Sequence, residues 1–302
     1  MSVDRRVQFD FEIEFANGGG LQGQEFRLDI AGETIADEQL ADAIVRDLRL
    51  LMVGTVRILN KKIISERHKR SGAILSDESS SEPVLVELSH TIEHGMITYK
   101  GLPAPLICDF LSREDSRAIY AEDTTFQIGK IEMASNTGTY LDSPFHRYAD
   151  GHDLSELKLA QFANLDGVLV RVEGQQGRAI DRDAFLPYDV RGKAVLVHTG
   201  WSRNWRQESY FEGHPFLTEA AAVYLRDSGA TLVGIDSLNI DDTGDLRRPV
   251  HTTLLGAQIP IVEHMCNLEA LPATGFVFTA APPKVKGMGT FPVRAFAILS
   301  KA

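Results

Sequence analysis

Three stretches, GKAVLVHTG (192–200), LTEAAAVYLRD (217–227) and TLVGID (231–236), decide the fold of this chain. The first and third are short and apolar, which is typical of buried strands. The second is a predicted helix with Thr218 as its N-cap. A strand, a helix and a second strand in this order predict a right-handed parallel crossover. Functional groups of such folds gather where the strands end, which is here at Asp236.

The composition excludes several classes of protein. Of the 302 residues, 43% are hydrophobic, which is enough to bury a core. There are 42 acidic and 31 basic residues, a net charge of −11, and this argues against nucleic-acid and membrane-surface binding. No apolar run reaches the roughly 18 residues of a membrane span, and the start has no signal-peptide pattern. Two cysteines, Cys108 and Cys266, cannot build a disulfide framework. We therefore expect a cytoplasmic protein that uses histidines and carboxylates.

The chain divides at a Ser-rich stretch that ends in proline, HKRSGAILSDESSSEP (68–83). Such a composition favours a linker, and we assign residues 71–83 to it. The linker separates an N-terminal appendage, residues 1–70, from a larger body, residues 84–302. The body has the size of one α/β domain.

The appendage is predicted to be a small ββαβ-like α+β unit. Apolar residues alternate over 7–15 and again over 25–30, which predicts a hairpin across the glycine-rich residues 17–20. Helical spacing over 37–53 predicts a helix, and 56–64 predicts a further strand. No constellation of catalytic residue types occurs in these elements. An oligomerisation or lid role is therefore favoured over catalysis.

The densest polar cluster of the body is SNTGTYLDSPFH (135–146). Gly138 and Pro144 predict a loop or a strand end at this point instead of a helix. Asp142 and His146 are four residues apart, but helical ligand spacing does not apply to them. A carboxylate and an imidazole that lie close together can bind a metal or act as acid and base.

Two more candidate residues come from elements further along the chain. His251 follows Pro249 at the start of a short helical stretch, and the strand 259–262 is followed directly by Glu263. With Asp142, these side chains would form a mixed nitrogen and oxygen site suited to Zn²⁺, Mn²⁺ or Fe²⁺. The alternative is that they are solvated or structural.

At this point the sequence resembles the cyclase family, which includes bacterial kynurenine formamidase and isatin hydrolase. The family motif is His-x-Gly-Thr-His-x-Asp-x-Pro-x-His, and residues 136–146 read NTGTYLDSPFH. Further similar segments run in order from VELSHTI (86–92) to PPKVKG (282–287), so that the resemblance covers about residues 84–299. It implies a compact α/β body of the swivelling β/β/α type. It also implies a homodimer or a higher homo-oligomer.

The activity implied by the resemblance is metal-assisted hydrolysis of a formamide or a cyclic amide in a small metabolite. Such an enzyme is an arylformamidase-like hydrolase of carbon–nitrogen bonds other than peptide bonds. In members with two metal ions, the counterpart of Asp142 bridges the ions. The counterparts of His251 and Glu263 complete one metal site, and that of His146 is the base.

This chain departs from the family motif at two histidines, which are Asn136 and Tyr140 here. An amide is a weak zinc ligand, and a phenol with a pKa near 10 ligates only when the metal deprotonates it. The resemblance therefore implies one ion, zinc or manganese, held by Asp142, His251 and Glu263. Tyr140 gains a possible catalytic role as a phenol donor, and the alternative is that it only ties down the loop. No glycine loop that cradles phosphate is found, so no nucleotide cofactor is expected.

Three further residues are candidates for contact with the substrate: Asn136, His90 and Trp201. For His90 a structural hydrogen bond is an equal alternative, and Trp201 could simply pack under a loop. The acidic residues that follow strand 231–236 could orient His251 from behind, or could form a solvated loop; they are Asp236, Asp241 and Asp242.

Three functions remain open on the sequence alone. The first is a metal-dependent hydrolase of an amide-like bond. The second is a metal-independent cyclase or lyase that uses Tyr140 and His146 for acid and base work. The third is a non-catalytic relative that binds a small molecule. Retention of Asp142, His146, His251 and Glu263 together argues against the third.

Overall fold

A computed structural model describes residues 5–16, 18–30, 34–48, 50, 53–65 and 83–299 of the chain. These residues belong to two compact units, residues 1–81 and residues 82–302. The predicted linker, except for Pro83, lies outside the described residues, and the domain boundaries stay predictions. The strands are β1 (Arg5–Phe15), β2 (Gly20–Asp29), β3 (Val53–Ser65), β4 (Val84–Glu87), β5 (Leu106–Leu111), β6 (Ile128–Glu132), β7 (Tyr140–Asp142), β8 (Leu165–Arg171), β9 (Ala179–Ile180), β10 (Ala194–His198), β11 (Phe216–Leu217), β12 (Leu232–Ile235), β13 (Ile261–Glu263), β14 (Phe276–Thr279), β15 (Thr290–Pro292) and β16 (Phe296–Leu299). The α-helices are α1 (Asp37–Asp47), α2 (Arg113–Ser116), α3 (Glu219–Ser228) and α4 (Pro249–Gly256).

The first unit is a three-stranded antiparallel sheet, in the order β2-β1-β3, with α1 against one face. The core of this unit consists of alternate residues of β1 and two aliphatic residues of α1. They are Val7, Phe9, Phe11 and Ile13 of β1, and Leu40 and Ile44 of α1. The predicted α+β order is confirmed. The predicted helix was too long: it ends at Asp47, because Val53 already belongs to β3, where it pairs with Phe15.

The second unit is built on a curled nine-stranded mixed sheet, in the order β15-β7-β13-β12-β10-β8-β14-β16-β4. The stretch that decides the fold forms β10, α3 and β12. The two strands are adjacent and parallel, with Ala194 opposite Leu232. Thr218 caps α3 by accepting a hydrogen bond from the Ala221 amide, and Gly229 ends it in the left-handed conformation, with φ +81°. The α/β prediction and the strand–helix–strand prediction are confirmed.

Both faces of the central strands are buried, as near-continuous apolar strand sequences require. Val195 and Val197 of β10 face the layer that contains α3 and α4. Leu196, between them, faces the opposite core inside the curled sheet. The same alternation continues in β13, where Ile261 and Val262 belong to different cores.

The strand next to one edge of this sheet positions the functional residues. The short strand β7 lies between β13 and β15 and is antiparallel to both. The helix α4 precedes β13 and packs against it. Nowhere in the described ranges does a helix have the length and apolarity needed to cross a membrane.

Candidate active site

The register of β7 brings four polar side chains together. Tyr140 and Asp142 are two residues apart in a strand and therefore share a face of the sheet. Glu263 of β13 lies directly opposite Tyr140, and Thr290 of β15 lies directly opposite Asp142. Side chains of directly opposed residues come within contact distance, so this pairing creates a polar cluster. The cluster lies on the face of the sheet that α4 covers.

Asp142 is fully buried at the centre of this cluster. One carboxylate oxygen, Oδ1, accepts a hydrogen bond from the Thr290 hydroxyl. The other, Oδ2, has no hydrogen-bond partner and lies 3.6 Å from Nε2 of His251. Burial opposes ionisation of Asp142, but the neighbouring His146, His251 and Thr290 outweigh it and hold the pKa of Asp142 below its usual value. An ionised oxygen that lacks a donor is suited to a cation.

His251 is oriented by a second buried carboxylate, that of Asp241. Asp241 accepts hydrogen bonds from the Val250 amide at 2.7 Å, the His251 amide at 3.0 Å and Nδ1 of His251 at 2.6 Å. It thus holds the first turn of α4 and the imidazole together, and it leaves Nε2 directed towards Asp142. The alternative of a solvated acidic loop is wrong for Asp241 and Asp236, because both side chains are fully buried.

The charge of His251 depends on this surrounding. Burial alone would lower its pKa, but contacts with Asp142 and Asp241 and the charge of Glu263 raise the pKa of His251 to about 10. Without another cation in the cluster, His251 itself carries positive charge. Its charge compensates part of the negative charge of the buried carboxylates of Asp142 and Asp241.

Glu263 is held by two strong hydrogen bonds. Its Oε1 accepts from the Ile240 amide at 2.6 Å, and its Oε2 accepts from the Tyr140 hydroxyl at 2.7 Å. Oε1 also lies 3.8 Å from Nε2 of His251. Burial raises the pKa of Glu263 to about 7, although the charge of His251 works in the other direction.

Tyr140 occupies the place of a family histidine as a neutral phenol. Burial, together with the charges of Glu263 and Asp142, raises the pKa of Tyr140 well above its usual value. Its hydroxyl therefore stays protonated and donates to Glu263. A protonated phenol is not a metal ligand.

His146 lies at the edge of the cluster and is partly exposed, with 36% of its side chain accessible. Its Nδ1 lies 2.8 Å from the Thr290 hydroxyl and 3.7 Å from Oδ1 of Asp142. These contacts occupy Nδ1 and leave Nε2 for a ligand in the cavity. The backbone of His146 touches Gly289 so closely that a Cβ on Gly289 would lie 2.5 Å from the His146 nitrogen.

The described residues include one group of three side chains with the spacing of a metal site. One ligand atom each of Asp142, His146 and His251 lies within 4.8 Å of the others. Glu263, the third ligand expected from the sequence, is outside this group. It nevertheless lies as close to Nε2 of His251, at 3.8 Å, as Asp142 does, at 3.6 Å.

The polar cluster forms the floor of a cavity of about 290 Å³. It is lined by Tyr99, Leu102, Asn136, Tyr140, His146, Arg147, Asn239, Arg248, His251 and Glu263. Asn136 therefore lies in the cavity wall, and its contact with a substrate stays a prediction. Asp241 was among the acidic residues expected to orient His251, whereas Thr290, Asn239 and the two arginines were missed. Thr290 has no spacing signal, whereas Arg147 could have been found because it directly follows His146.

His90 and Trp201 do not line this cavity. The ring of His90 stacks on Trp205, with the ring centroids 3.9 Å apart, and Nε1 of Trp201 donates to the backbone oxygen of Tyr210 at 3.0 Å. Burial lowers the pKa of His90 to about 4. His90 thus packs in the aromatic cluster around Trp205, and Trp201 is tied to the backbone of Tyr210, so that contact of either residue with a substrate stays a prediction.

Comparison with known proteins gives the same family as the sequence resemblance. A family model described as "Putative cyclase" matches residues 86–242, which include the motif at 136–146 and end before His251. Two curated relatives are kynurenine formamidases. That of Geobacillus thermodenitrificans is 29% identical over 178 residues, 58% of this chain and 81% of the relative. That of Bacillus cereus is 24% identical over 212 residues, 70% of this chain and 95% of the relative.

Solved structures share the fold. An isatin hydrolase bound to the product analogue thioisatinate has a TM-score of 0.62 at 20% identity, over 74% of this chain and 94% of that one. A potential metal-dependent hydrolase with cyclase activity has a TM-score of 0.60 at 24% identity, over 73% of this chain and all of the other.

Proposed function

The chain belongs to the cyclase family, and from this we propose that it is a metal-dependent hydrolase that cleaves an amide-like bond, a formamide or a cyclic amide, in a small metabolite. The observation that carries the proposal is the buried Asp142, whose unpartnered Oδ2 faces Nε2 of His251 at the floor of a cavity. The similarity to kynurenine formamidases supports a carbon–nitrogen bond as the target.

Asp142 and His251, at the floor of the cavity, have the spacing of two ligands of a single divalent ion, and Glu263 has that spacing to His251 but would have to approach Asp142. Two atoms that bind one ion at 2.0–2.2 Å in tetrahedral geometry are separated by about 3.4 Å. Nε2 of His251 is 3.6 Å from Asp142 and 3.8 Å from Glu263, close to that separation. In our proposal these three side chains hold one zinc or manganese ion. When bound, the ion supplies a Lewis acid for the carbonyl oxygen and lowers the pKa of water.

His146 acts as the general base and acid of the proposed reaction. Its Nδ1 is engaged with Thr290 and Asp142, so the tautomer and the ring orientation are held, and Nε2 is left for the proton. It takes a proton from the attacking water and delivers it to the nitrogen that leaves. Water adds to the carbonyl carbon, the carbon–nitrogen bond breaks, and a carboxylic acid and an amine result.

In this proposal Tyr140 and Asn136 stand where the family motif has the histidines of the second metal ion. The Tyr140 hydroxyl donates a hydrogen bond to Glu263 at 2.7 Å. The hydrogen bond fixes Oε2 of Glu263, while the Ile240 amide fixes Oε1. Tyr140 therefore positions a proposed ligand, and the site is mononuclear.

Metal analysis and an activity assay test this function. Protein purified without chelator is expected to contain close to one zinc or manganese ion per chain and to hydrolyse N-formylated arylamines. Asp142→Ala should lose both the ion and the activity. Asp150→Ala, which changes an exposed aspartate of the same loop, is the matched control and should keep both. Absence of a bound ion together with full activity of Asp142→Ala would refute the proposal.

The metal-independent alternative has one observation in its favour: the Tyr140 phenol and His146 line the same cavity. It predicts activity that resists chelators and that disappears in Tyr140→Phe. The metal-dependent hydrolase predicts that chelators abolish activity and that zinc or manganese restores it.

Assembly as a homodimer or higher homo-oligomer is part of the proposal. The hairpin of β5 and β6 exposes many large apolar side chains, and a two-stranded sheet is marginal alone. Its most exposed apolar residues are Phe110, Ile119, Phe126 and Ile131. Sedimentation velocity tests the state directly, and a monomer at micromolar concentration would contradict it. The cytoplasmic location and the absence of nucleic-acid binding stay predictions from composition.

A further inference from the structure

Two arginines line the proposed catalytic cavity, and each is close in sequence to one of its histidines. Arg147 directly follows His146, and Arg248 lies three residues before His251. Neither guanidinium forms an ion pair with any carboxylate among the described residues. A cavity that presents unpaired guanidinium groups next to its reactive groups is suited to an anion.

The acidic residues nearest to Arg248 are already neutralised by other arginines. Arg247 holds Asp245 through Nε at 3.0 Å and Nη2 at 2.7 Å. Arg178 lies 3.6 Å from Oδ2 of Asp242. The guanidinium of Arg248 contacts only the backbone oxygen of Asp242 among the described residues, at 3.2 Å through Nη1. It therefore has no carboxylate partner at ion-pair distance, and its charge acts on Asp245 only from further away.

Both arginines contact the first turns of α4 at Thr252. Nε of Arg147 donates to the Thr252 hydroxyl at 3.3 Å, and the Thr252 amide donates to the backbone oxygen of Arg248 at 2.9 Å. One guanidinium nitrogen of each is engaged: Nε of Arg147 with Thr252, and Nη1 of Arg248 with the Asp242 backbone oxygen. The remaining N–H groups of both have no acceptor in the described structure, so they are free to bind a ligand.

The backbone at Arg248 is strained in a way that fits a functional role. Its φ of +51° and ψ of +59° place it in the left-handed region, which residues with a Cβ rarely adopt. Glycine would relieve this strain, yet the position holds the longest cationic side chain. Strained residues are retained where the surrounding structure fixes a side chain for binding or catalysis.

We propose that Arg147 and Arg248 bind a carboxylate group of the substrate, so that the substrate is a small amide that also carries a free carboxylate. The nature of the bond that is cleaved rests on the function proposed above. The buried carboxylates of Asp142 and Glu263 at the floor repel an anion, and the arginines attract it at the wall. The substrate is thereby oriented with its anionic end on Arg147 and Arg248 and its amide towards His146. In a chain of net charge −11, this local pair also offsets the general repulsion of an anionic substrate.

A series of formylated amines tests the inference. The 2-, 3- and 4-formamidobenzoates carry a carboxylate at three distances from the same formamide, and formanilide carries none. For wild-type protein we expect kcat/KM to be about 10- to 100-fold higher for the best isomer than for formanilide, the worth of a charge-assisted hydrogen bond. The isomer that is preferred reports the distance between the arginines and the scissile bond.

The ratio of kcat/KM for the best isomer to kcat/KM for formanilide should fall close to one in the variants Arg147→Ala and Arg248→Ala. Arg248→Lys should restore part of the ratio, since it restores the charge without the planar fork. Arg247→Ala is the matched control, because this neighbouring arginine is paired with Asp245 outside the cavity and the ratio should stay at the wild-type value. Circular dichroism of each variant verifies that it is folded.

Binding measured by calorimetry separates this inference from the proposed function. Benzoate should bind wild-type protein at least about 10-fold more tightly than either arginine-to-alanine variant, whether or not any amide is cleaved. If binding follows the arginines but no formamide is hydrolysed, the carboxylate site stands and the hydrolase proposal fails. If wild-type protein hydrolyses formamidobenzoates and formanilide with nearly equal kcat/KM, the inference is overturned and the hydrolase stands. Tighter binding of phenyl phosphate than of benzoate by more than about 10-fold would overturn the assignment to a carboxylate.

Discussion

Replacing Asp241 by asparagine removes the charge that holds His251 in place while it changes the side-chain volume very little. In the native protein the carboxylate accepts three N–H groups, from the Val250 amide at 2.7 Å, the His251 amide at 3.0 Å and Nδ1 of His251 at 2.6 Å. Oδ1 makes the first contact and Oδ2 makes the other two. An asparagine keeps only one accepting oxygen. Its amide nitrogen, which is itself a donor, must then face N–H groups that the carboxylate accepted from.

The expected cost follows from these contacts. If the remaining oxygen keeps the bond to Val250, the two donors of His251 lose their acceptor in a fully buried place. An unsatisfied buried donor costs about 1–3 kcal/mol, so the pair costs about 2–6 kcal/mol. For a domain of this size each kcal/mol lowers Tm by roughly 2–4 °C, which gives a fall of roughly 4–24 °C.

The prediction is measured by thermal unfolding and by competition for zinc with a chromophoric chelator. Asp241→Asn should lower the affinity for the metal by about 10- to 100-fold, because the carboxylate behind a histidine ligand fixes its tautomer and its basicity. Asp242→Asn is the matched control: it makes the same change at the next residue. Asp242 is partly exposed and pairs loosely with Arg178, at 3.6 Å, so its loss should cost less than about 1 kcal/mol.

Two results would refute the reasoning. An Asp241→Asn protein with the Tm of the wild type would mean that these hydrogen bonds do not stabilise the first turn of α4. A lowered Tm with unchanged metal affinity would mean that the imidazole of His251 is held for the fold and not for an ion.

Two further substitutions probe the same cluster. Tyr140→Phe leaves Oε2 of Glu263 without its 2.7 Å donor and should lower the free energy of unfolding by about 1–3 kcal/mol, measured by urea denaturation. The variant should keep an activity that chelators abolish, and complete loss of activity in a folded Tyr140→Phe protein would favour the metal-independent enzyme. Gly289→Ala places a Cβ 2.5 Å from the backbone nitrogen of His146 and should reduce kcat/KM at least about 10-fold, because the base is displaced. Gly244→Ala, where the nearest atom is 3.4 Å away on a side chain, should leave kcat/KM unchanged, and equal kinetics of the two glycine variants would contradict this account.

Much of the fold could be predicted from the sequence because its signals are local. Strands β10 and β12 are apolar and of strand length, and α3 carries its own cap at Thr218 and its own stop at Gly229. The first unit was predicted for the same reason, since the period of two in β1 is visible without any partner. The length of α1 was overestimated, because the apolar spacing typical of a helix continues past Asp47, where α1 ends, to Val53, where β3 begins.

The candidate site was predicted from the continuous motif and from two further elements, which supplied His251 and Glu263. Residues 136–146 place Asp142 and His146 near each other, and the departures at Asn136 and Tyr140 already indicate a single ion. His90 was a predicted wall residue because it follows a predicted strand, and Trp201 because its aromatic ring follows the strand 192–200. Sequence does not say which way a ring packs: His90 stacks on Trp205, and Trp201 donates to the backbone of Tyr210.

By itself, the sequence determined the α/β body, the motif and the residue types of its chemistry, because periodicity and local spacing are properties of neighbouring residues. Only the tertiary structure decided which side chains meet. Tyr140 and Glu263 are 123 residues apart, and Asp142 and Thr290 are 148 apart, yet both pairs lie face to face across β7. Their contact depends on the register of three antiparallel strands, where a shift by one residue would turn each side chain to the other face. The two arginines beside His146 and His251 likewise share a cavity only because α4 packs against the turn Pro144–His146.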